Sequence, residues 1–382
     1  MKRIISLIII ISIALFCYTG SVNSEYIPGV SVKSLILMEA SSGKILFEQN
    51  SHESLPPASV TKIMTMLLIC EAIEDGSITL DTKITASERA KSMGGSTIFL
   101  ETNEVMTLED LLKGIAVASA NDACVAVAEH MCGSVEAFVN LMNQRAKELG
   151  MKDTNFVNCN GLDAENHHTS AYDIAIMSKE LLKHSMIEKF TTIWMDSLRN
   201  GAFQLANTNK LIRFYKGANG LKTGSTSNAG CCISATAKRD GMQLIAVVMG
   251  AENSKDRFSA ASELLNYGFS NYTVTSYGEK NSQVGEVPIL YGKSSSILAL
   301  AQDKTSVVIG KTDKENLKTH INLPKEISAP VKKGEIIGDM VITLNGETLV
   351  KVNLISDRTV EKKGAKDYFM YLFKGMFIHK ER

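Results

Sequence analysis

The stretch Pro57-Ala58-Ser59-Val60-Thr61-Lys62-Ile63-Met64-Thr65 opens a run that is apolar on nearly every side, through Met66, Leu67, Leu68, Ile69 and Ile73 to Gly76. A proline pair before good helix residues and a glycine after them predict a helix over residues 60–75. A surface helix keeps a polar stripe, and this one has almost none, so it belongs in the interior of a domain. Ser59 then stands at the helix N-terminus, where backbone N–H groups point outward, and Lys62 shares its face one turn deeper. A hydroxyl and an amine so placed are a nucleophile with its own base, because burial disfavours the ammonium and leaves an amine able to take the serine proton. The S-x-x-K pattern is short, and about three matches are expected by chance. A second match, Ser41/Lys44, lies in a hairpin turn where the lysine is solvated. The bland alternative for Ser59 is an ordinary N-cap beside a snorkelling lysine.

On either side of this helix the pattern alternates between strands and helices. Residues 32–38 and 44–48 are apolar-rich runs joined by Ala40-Ser41-Ser42-Gly43, a strand–turn–strand signal. Helical periodicity follows over residues 108–118, 122–131 (closed by Gly133), 135–149 (closed by Gly150) and 171–184, the last after a Ser170 cap. Strands return at residues 231–238 and 242–249 around Arg239-Asp240-Gly241, and a helix over residues 254–267 ends the block. Hairpin, helices, hairpin and helix predict an α+β domain with an antiparallel sheet, residues 25–270. Beyond it, short strand-like runs take over, and Leu344-Asn345-Gly346-Glu347 is a type I′ hairpin signal. Residues 271–360 therefore read as a smaller all-β domain. It holds no cluster of nucleophile, base and carboxylate, so a spacer or binding role is expected.

The chain has 382 residues, 45% hydrophobic and 21% charged, a soluble globular balance that excludes disorder, collagen and a multi-span membrane protein. Lys+Arg and Asp+Glu are equal at 41 each, so no net positive field gathers nucleic acid, which is not expected as a partner. Lys2 and Arg3 precede an apolar stretch, residues 4–16, too short to span a bilayer, and Val22-Asn23-Ser24 offers small residues to a signal peptidase. Residues 1–24 read as a secretory signal cut after Ser24. A lipoprotein signal ending at Cys17 is disfavoured by bulky Phe16. The six remaining cysteines, Cys70, Cys124, Cys132, Cys159, Cys231 and Cys232, form no C-x-x-C pair and read mostly as small buried hydrophobes. His167-His168 is read as a loop pair, since adjacent side chains do not converge on a metal unaided.

Two further motifs raise the odds for Ser59. Ser119-Ala120-Asn121 falls in the break between two predicted helices, where a hydroxyl and an amide can project into a cleft. Lys222-Thr223-Gly224 precedes the second hairpin, and only about 0.15 such tripeptides are expected by chance. The set Ser59-x-x-Lys62, Ser119-x-Asn121, Lys222-Thr223-Gly224 resembles the active site of penicillin-binding proteins and class A β-lactamases. The longer stretches Pro57 to Thr65, Ser119-Ala120-Asn121-Asp122-Ala123, Asn207-Thr208-Asn209-Lys210-Leu211, Gly220-Leu221-Lys222-Thr223-Gly224 and Ser254-Lys255-Asp256-Arg257-Phe258 are similar to the serine-type D-Ala-D-Ala carboxypeptidases. Ala120 stands where many relatives carry Gly, and Ser225 where they often carry a larger residue. Either change is expected to tune rate or β-lactam affinity without removing a catalytic group.

The resemblance implies a penicillin-binding/β-lactamase-like transpeptidase domain and acyl transfer from the terminal D-alanine of a peptidoglycan stem peptide to water, with β-lactams as inhibitors. It casts Ser59 as nucleophile, Lys62 as its base and Ser119 as proton relay to the departing D-alanine. Asn121 would hold the substrate amide. Lys222, Thr223 and Gly224 would shape the cleft and bind the substrate carboxylate with Arg257. Without the resemblance Arg257, beside Lys255 and Asp256, would read as one more solvated charge. Backbone N–H groups of Ser59 and Ser225 would form the oxyanion hole. No metal or cofactor is implied. A β-lactamase needs a second base, and Glu165-Asn166-His167-His168-Thr169 does not match the E-x-x-L-N pattern of class A enzymes. A binding protein without catalysis would be expected to have lost Ser59 or Lys62.

The tail, residues 361–382, places Phe369, Leu372, Phe373, Met376 and Phe377 on one helical side and carries six Lys/Arg against three Asp/Glu. Such a segment is expected to lie in an anionic membrane surface as an amphipathic helix, the alternative being a helix docked on the protein itself. The expected location is the outer face of the bacterial cytoplasmic membrane.

Overall fold

The computed structural model describes residues 31–370. The predicted signal and the larger part of the predicted tail helix lie outside the described residues. Contacts divide the chain after Ser270 into two compact units.

In the first unit β1 (Ser34–Glu39) and β2 (Ile45–Gln49) form the expected hairpin, followed by β3 (Lys83–Thr85), β4 (Val105–Thr107), β5 (Met195–Leu198), β6 (Phe203–Ala206), β7 (Ala218–Thr226), β8 (Gly230–Arg239) and β9 (Met242–Ala251). Five of these make one antiparallel sheet in the order β2-β1-β9-β8-β7. Side chains alternate across it. Ile36, Met38, Ile245, Val247 and Met249 join the large apolar core that contains the helices Lys62–Glu74, Asn121–Cys132, Val135–Glu148 and Ala171–Leu181. Leu37 and Leu244 point the other way, onto the helix Ser254–Asn271, which Gly268 lets in close: a Cβ there would lie 2.6 Å from Leu244 Cδ1 and 2.9 Å from Leu37 Cδ2. The sheet is thus covered on both faces, and β1 is buried at every position.

The helix Lys62–Glu74 is buried from Lys62 through Cys70, as its all-round apolar sequence requires, and Gly76 closes it at φ +81°. Its first turn differs from the expectation. Ala58–Thr61 is a 3-10 turn, with Ala58 at φ +49°, and the α-helix proper starts only at Lys62. The segment predicted as a helix over residues 108–118 is α-helical over Leu108–Lys113 and widens to a π turn over Gly114–Ala118. The helix predicted over residues 171–184 ends at Leu181. The pairs β3/β4 and β5/β6 escaped sequence reading because strands of three and four residues are too short to display a period of two. Lys222-Thr223-Gly224 stands ahead of the β8/β9 hairpin as expected, and it lies within a further strand, β7, at the edge of the main sheet.

The second unit is almost all strand: a six-stranded sheet and a separate two-stranded pair, with two small apolar cores. Leu344 pairs with Glu347 across Asn345 (φ 51°) and Gly346 (φ 90°), the two left-handed positions that a type I′ turn demands. Residues 365–370 are helical at the end of the described chain, with Tyr368, Phe369 and Met370 exposed. No helix among the described residues is long and apolar enough to cross a membrane.

Candidate active site

The three motifs meet where the Ala58–Thr61 turn abuts β7. Lys62 is fully buried, and its Nζ lies 3.0 Å from Ser59 Oγ, 2.6 Å from Asn121 Oδ1 and 2.6 Å from the Asn160 carbonyl oxygen. Burial holds its pKa below the ordinary lysine value, outweighing Cys124, Cys159 and Asp122, which act in the opposite direction. A neutral amine has two N–H groups and one lone pair. Donation to the two carbonyl acceptors uses both hydrogens and leaves the lone pair facing the Ser59 hydroxyl, the geometry of a general base.

Ser119 sits between the π turn and the helix Asn121–Cys132 at φ 65°, ψ 33°, a left-handed conformation that non-glycine residues seldom adopt. It is 4% exposed, set in the break that the sequence predicted. Ala120 takes φ −60°, ψ 117°, which any residue adopts, so alanine costs no backbone strain where many relatives have glycine. The Asn121 amide is fixed at both ends: Oδ1 accepts from Lys62 and Nδ2 donates to the Gly94 carbonyl at 2.7 Å. One N–H of that amide remains for a substrate carbonyl, so Asn121 both aims the base and has capacity to hold a substrate.

On the opposite wall Lys222 is 1% exposed and donates to the Thr223 carbonyl at 2.9 Å. Burial, and then the nearby Lys62 charge, depress its pKa well below the ordinary value. Thr223 donates to Thr208 Oγ1 at 2.7 Å, in the Asn207-Thr208-Asn209 stretch whose own amides brace the loop, Asn209 Nδ2 donating to the Gly220 carbonyl at 3.0 Å. Gly224 is required by proximity: a Cβ would lie 2.8 Å from the Ser59 nitrogen and 2.9 Å from Ala58 Cβ. Ser225 is exposed at the end of β7, its Oγ 3.5 Å from Cys231 Sγ.

Arg257 is no solvated loop charge. It lies in the first turn of the helix Ser254–Asn271, buried, donating to the Gly224 carbonyl at 3.0 Å, the Cys232 carbonyl at 3.4 Å and Ser254 Oγ at 3.0 Å. With both terminal nitrogens engaged, the guanidinium is a positive charge braced behind β7 rather than an open fork.

Sequence reading missed the segment that carries Asn160, Gly161 and His167. Besides the Asn160 carbonyl on Lys62, the Cys159 carbonyl accepts from Thr65 Oγ1 at 2.6 Å, and a Cβ on Gly161 would collide with the Ala58 carbonyl. His167 is buried, its ring bonded to Thr61, while Glu165 is exposed. Backbone carbonyls carry no signature in sequence, but Gly161 beside an Asn-rich turn was a visible hint. Among the described residues no group of three His, Cys, Asp or Glu side chains is placed to hold a metal.

Residues 21–253 match the D-alanyl-D-alanine carboxypeptidase family. The chain belongs to that family. This D-alanyl-D-alanine carboxypeptidase is thereby a serine peptidase of the penicillin-binding type, a class that acts on peptidoglycan. Residues 272–362 match the penicillin-binding protein 5 C-terminal domain. The chain is 46% identical over 336 residues to D-alanyl-D-alanine carboxypeptidase DacF of Bacillus subtilis, covering 87% of this chain and 86% of that protein. Penicillin-binding protein 5 from Haemophilus influenzae is similar in structure, with a TM-score of 0.76 at 32% identity over 88% of this chain and 99% of that one. Penicillin-binding protein D2 of Listeria monocytogenes, solved in an ampicillin-bound form, matches 63% of this chain and 98% of its own at a TM-score of 0.58 and 30% identity.

Proposed function

We propose that the enzyme removes the terminal D-alanine from peptidoglycan stem pentapeptides through an acyl-enzyme on Ser59. The contact between Lys62 Nζ and Ser59 Oγ carries this reading, since it joins a part-exposed hydroxyl to an amine that burial keeps deprotonated more readily than a free lysine. Lys62 takes the hydroxyl proton as Ser59 attacks the D-Ala–D-Ala carbonyl, and Ser119 passes a proton to the departing D-alanine nitrogen. The unpaired edge of β7 is suited to an extended peptide laid alongside it. Backbone N–H groups of Ser59 and Ser225 stabilise the oxyanion. Arg257, joined by Lys222 when that buried amine is protonated, supplies positive charge at the end where the substrate carboxylate sits, Thr223 lines the same wall, and Gly224 keeps that wall close to Ser59. Penicillin, which mimics D-Ala-D-Ala, acylates the same serine, and the ampicillin-bound relative supports this.

The apolar leader supports export, and the basic, apolar-sided tail supports attachment to the outer face of the cytoplasmic membrane, with the β unit as a spacer toward the wall. The decisive experiment incubates the mature protein with a pentapeptide stem and with a cross-linked dimer and identifies the products by mass spectrometry, alongside labelling by fluorescent penicillin. Loss of one D-alanine and an adduct on Ser59 that Ser59→Ala abolishes are expected. Full labelling of Ser59→Ala would overturn the mechanism.

A further inference from the structure

We infer that His167 is a positioning residue for the nucleophile: through Thr61 it fixes the turn at Ala58 and so sets the Ser59 hydroxyl against the Lys62 amine. The inference rests on Ser59 being the acylated group. His167 is 4% exposed, with its ring tilted against Phe156 at 6.0 Å between centroids. Its Nδ1 lies 2.9 Å from the Val157 backbone nitrogen, and an N–H donor there requires Nδ1 to be the acceptor. The proton of the neutral ring is therefore on Nε2, which lies 2.9 Å from Thr61 Oγ1 and donates to it. Thr61 Oγ1 in turn donates to the Ala58 carbonyl at 2.9 Å. The direction of every proton in this relay is thus set by one backbone N–H.

The relay ends on the backbone that needs support. Ala58 occupies φ +49°, a left-handed conformation that a non-glycine residue holds only when its surroundings impose it, and Ser59 is the next residue. Gly161 packs on the same Ala58 carbonyl, and the Asn160 carbonyl holds Lys62 Nζ. One segment, residues 155–169, therefore grips the nucleophile turn and its base together. His167 touches neither substrate nor reacting atoms and acts through Thr61 alone.

Glutamine and asparagine separate the two ends of the ring. Gln at position 167 keeps a donor near the Nε2 position and loses the Nδ1 acceptor, whereas Asn keeps an acceptor for Val157 and loses the donor to Thr61. Each variant forfeits one buried hydrogen bond, so similar losses of thermal stability are expected. Penicillin acylation rates of the full chain should diverge: H167N about 10- to 100-fold slower than wild type, H167Q within about threefold. T61V should match H167N, and the double variant H167N/T61V should be no slower than either single one, because both cut the same relay. H167N or T61V acylating within threefold of wild type, H167Q and H167N slowing equally, or losses that multiply in the double variant would each overturn the inference. Wild-type protein that takes no label on Ser59 would overturn the underlying reading, and this inference with it. A labelled wild type with indifferent variants overturns only the role of His167.

Discussion

Gly224 lies so close to Ser59 that a side chain there would put its Cβ 2.8 Å from the Ser59 backbone nitrogen. The third residue of the Lys222-Thr223-Gly224 motif is thus set by the gap between β7 and the Ala58–Thr61 turn, whose atoms facing Gly224 are the Ser59 and Val60 nitrogens and the Ala58 Cβ, none of which can swing aside. Gly224→Ala is expected to push the two walls apart, slowing penicillin acylation about 100-fold while costing about 1–3 kcal/mol of stability. Acylation rates and thermal melts measured together check this, since a loss of rate much larger than the loss of stability marks displaced reacting groups.

Lys62→Arg should be as damaging as Lys62→Ala. Arginine keeps the charge but does not deprotonate at working pH, and the pocket leaves little room for a planar fork. The depressed pKa of Lys62 fixes the sign of the wild-type profile. The neutral amine is the active form, so acylation rises with pH through the lowered value and falls on acidification as the amine is protonated. Rates across pH 5–9 would reveal a rising limb in the wild type. Rapid acylation by the arginine variant at neutral pH would contradict the base role.

Burial lowers the His167 pKa from 6.5 to about 4, His168 adding to the effect and Asp163 opposing it. In the unfolded chain the imidazole takes a proton at about 6.5 that the folded protein refuses until about pH 4, so stability is full above that upper value and is lost as pH falls. The expected loss is at most about 3 kcal/mol. Denaturant melts of wild type and H167Q between pH 7 and pH 4 should show the wild-type stability falling more steeply, with the variant lacking this component.

The boundary of the tail is set by the β unit. Val360 bridges Val331, and beyond it Lys362 bridges Gly292 and the Lys363 backbone nitrogen donates to the Tyr291 carbonyl at 2.7 Å, so a cut after Val360 would remove these last two contacts, which belong to that unit. A chain ending at Gly364 is the sharper test. The full-length mature protein should bind anionic vesicles at low salt and the shortened form should not, both hydrolysing soluble pentapeptide equally. Equal vesicle binding by the two forms in co-sedimentation would remove the tail as the anchor.

The sequence alone determined the order Ser59-x-x-Lys62, Ser119-x-Asn121, Lys222-Thr223-Gly224, the buried character of the helix that follows Ser59, the hairpin at Asn345-Gly346 and the change from mixed to all-β architecture. These are local matters: apolar periodicity, turn chemistry and short motifs are written in neighbouring residues. Tertiary structure decided the rest. The Lys62 amine is held by the carbonyl of Asn160, 98 residues away, and backbone carbonyls are the same in every residue. Arg257, which local composition alone would leave solvated and the resemblance assigned to the substrate carboxylate, is a buried brace because a helix carries it under β7, and His167 turns from half of a loop pair into a partner of Thr61 because its segment folds onto the Ala58–Thr61 turn. The left-handed Ser119 closes a π turn that has no residue signature of its own. Contacts between distant segments arise from how the helices and the sheet close-pack around one core, a property of the whole chain that no window of sequence contains.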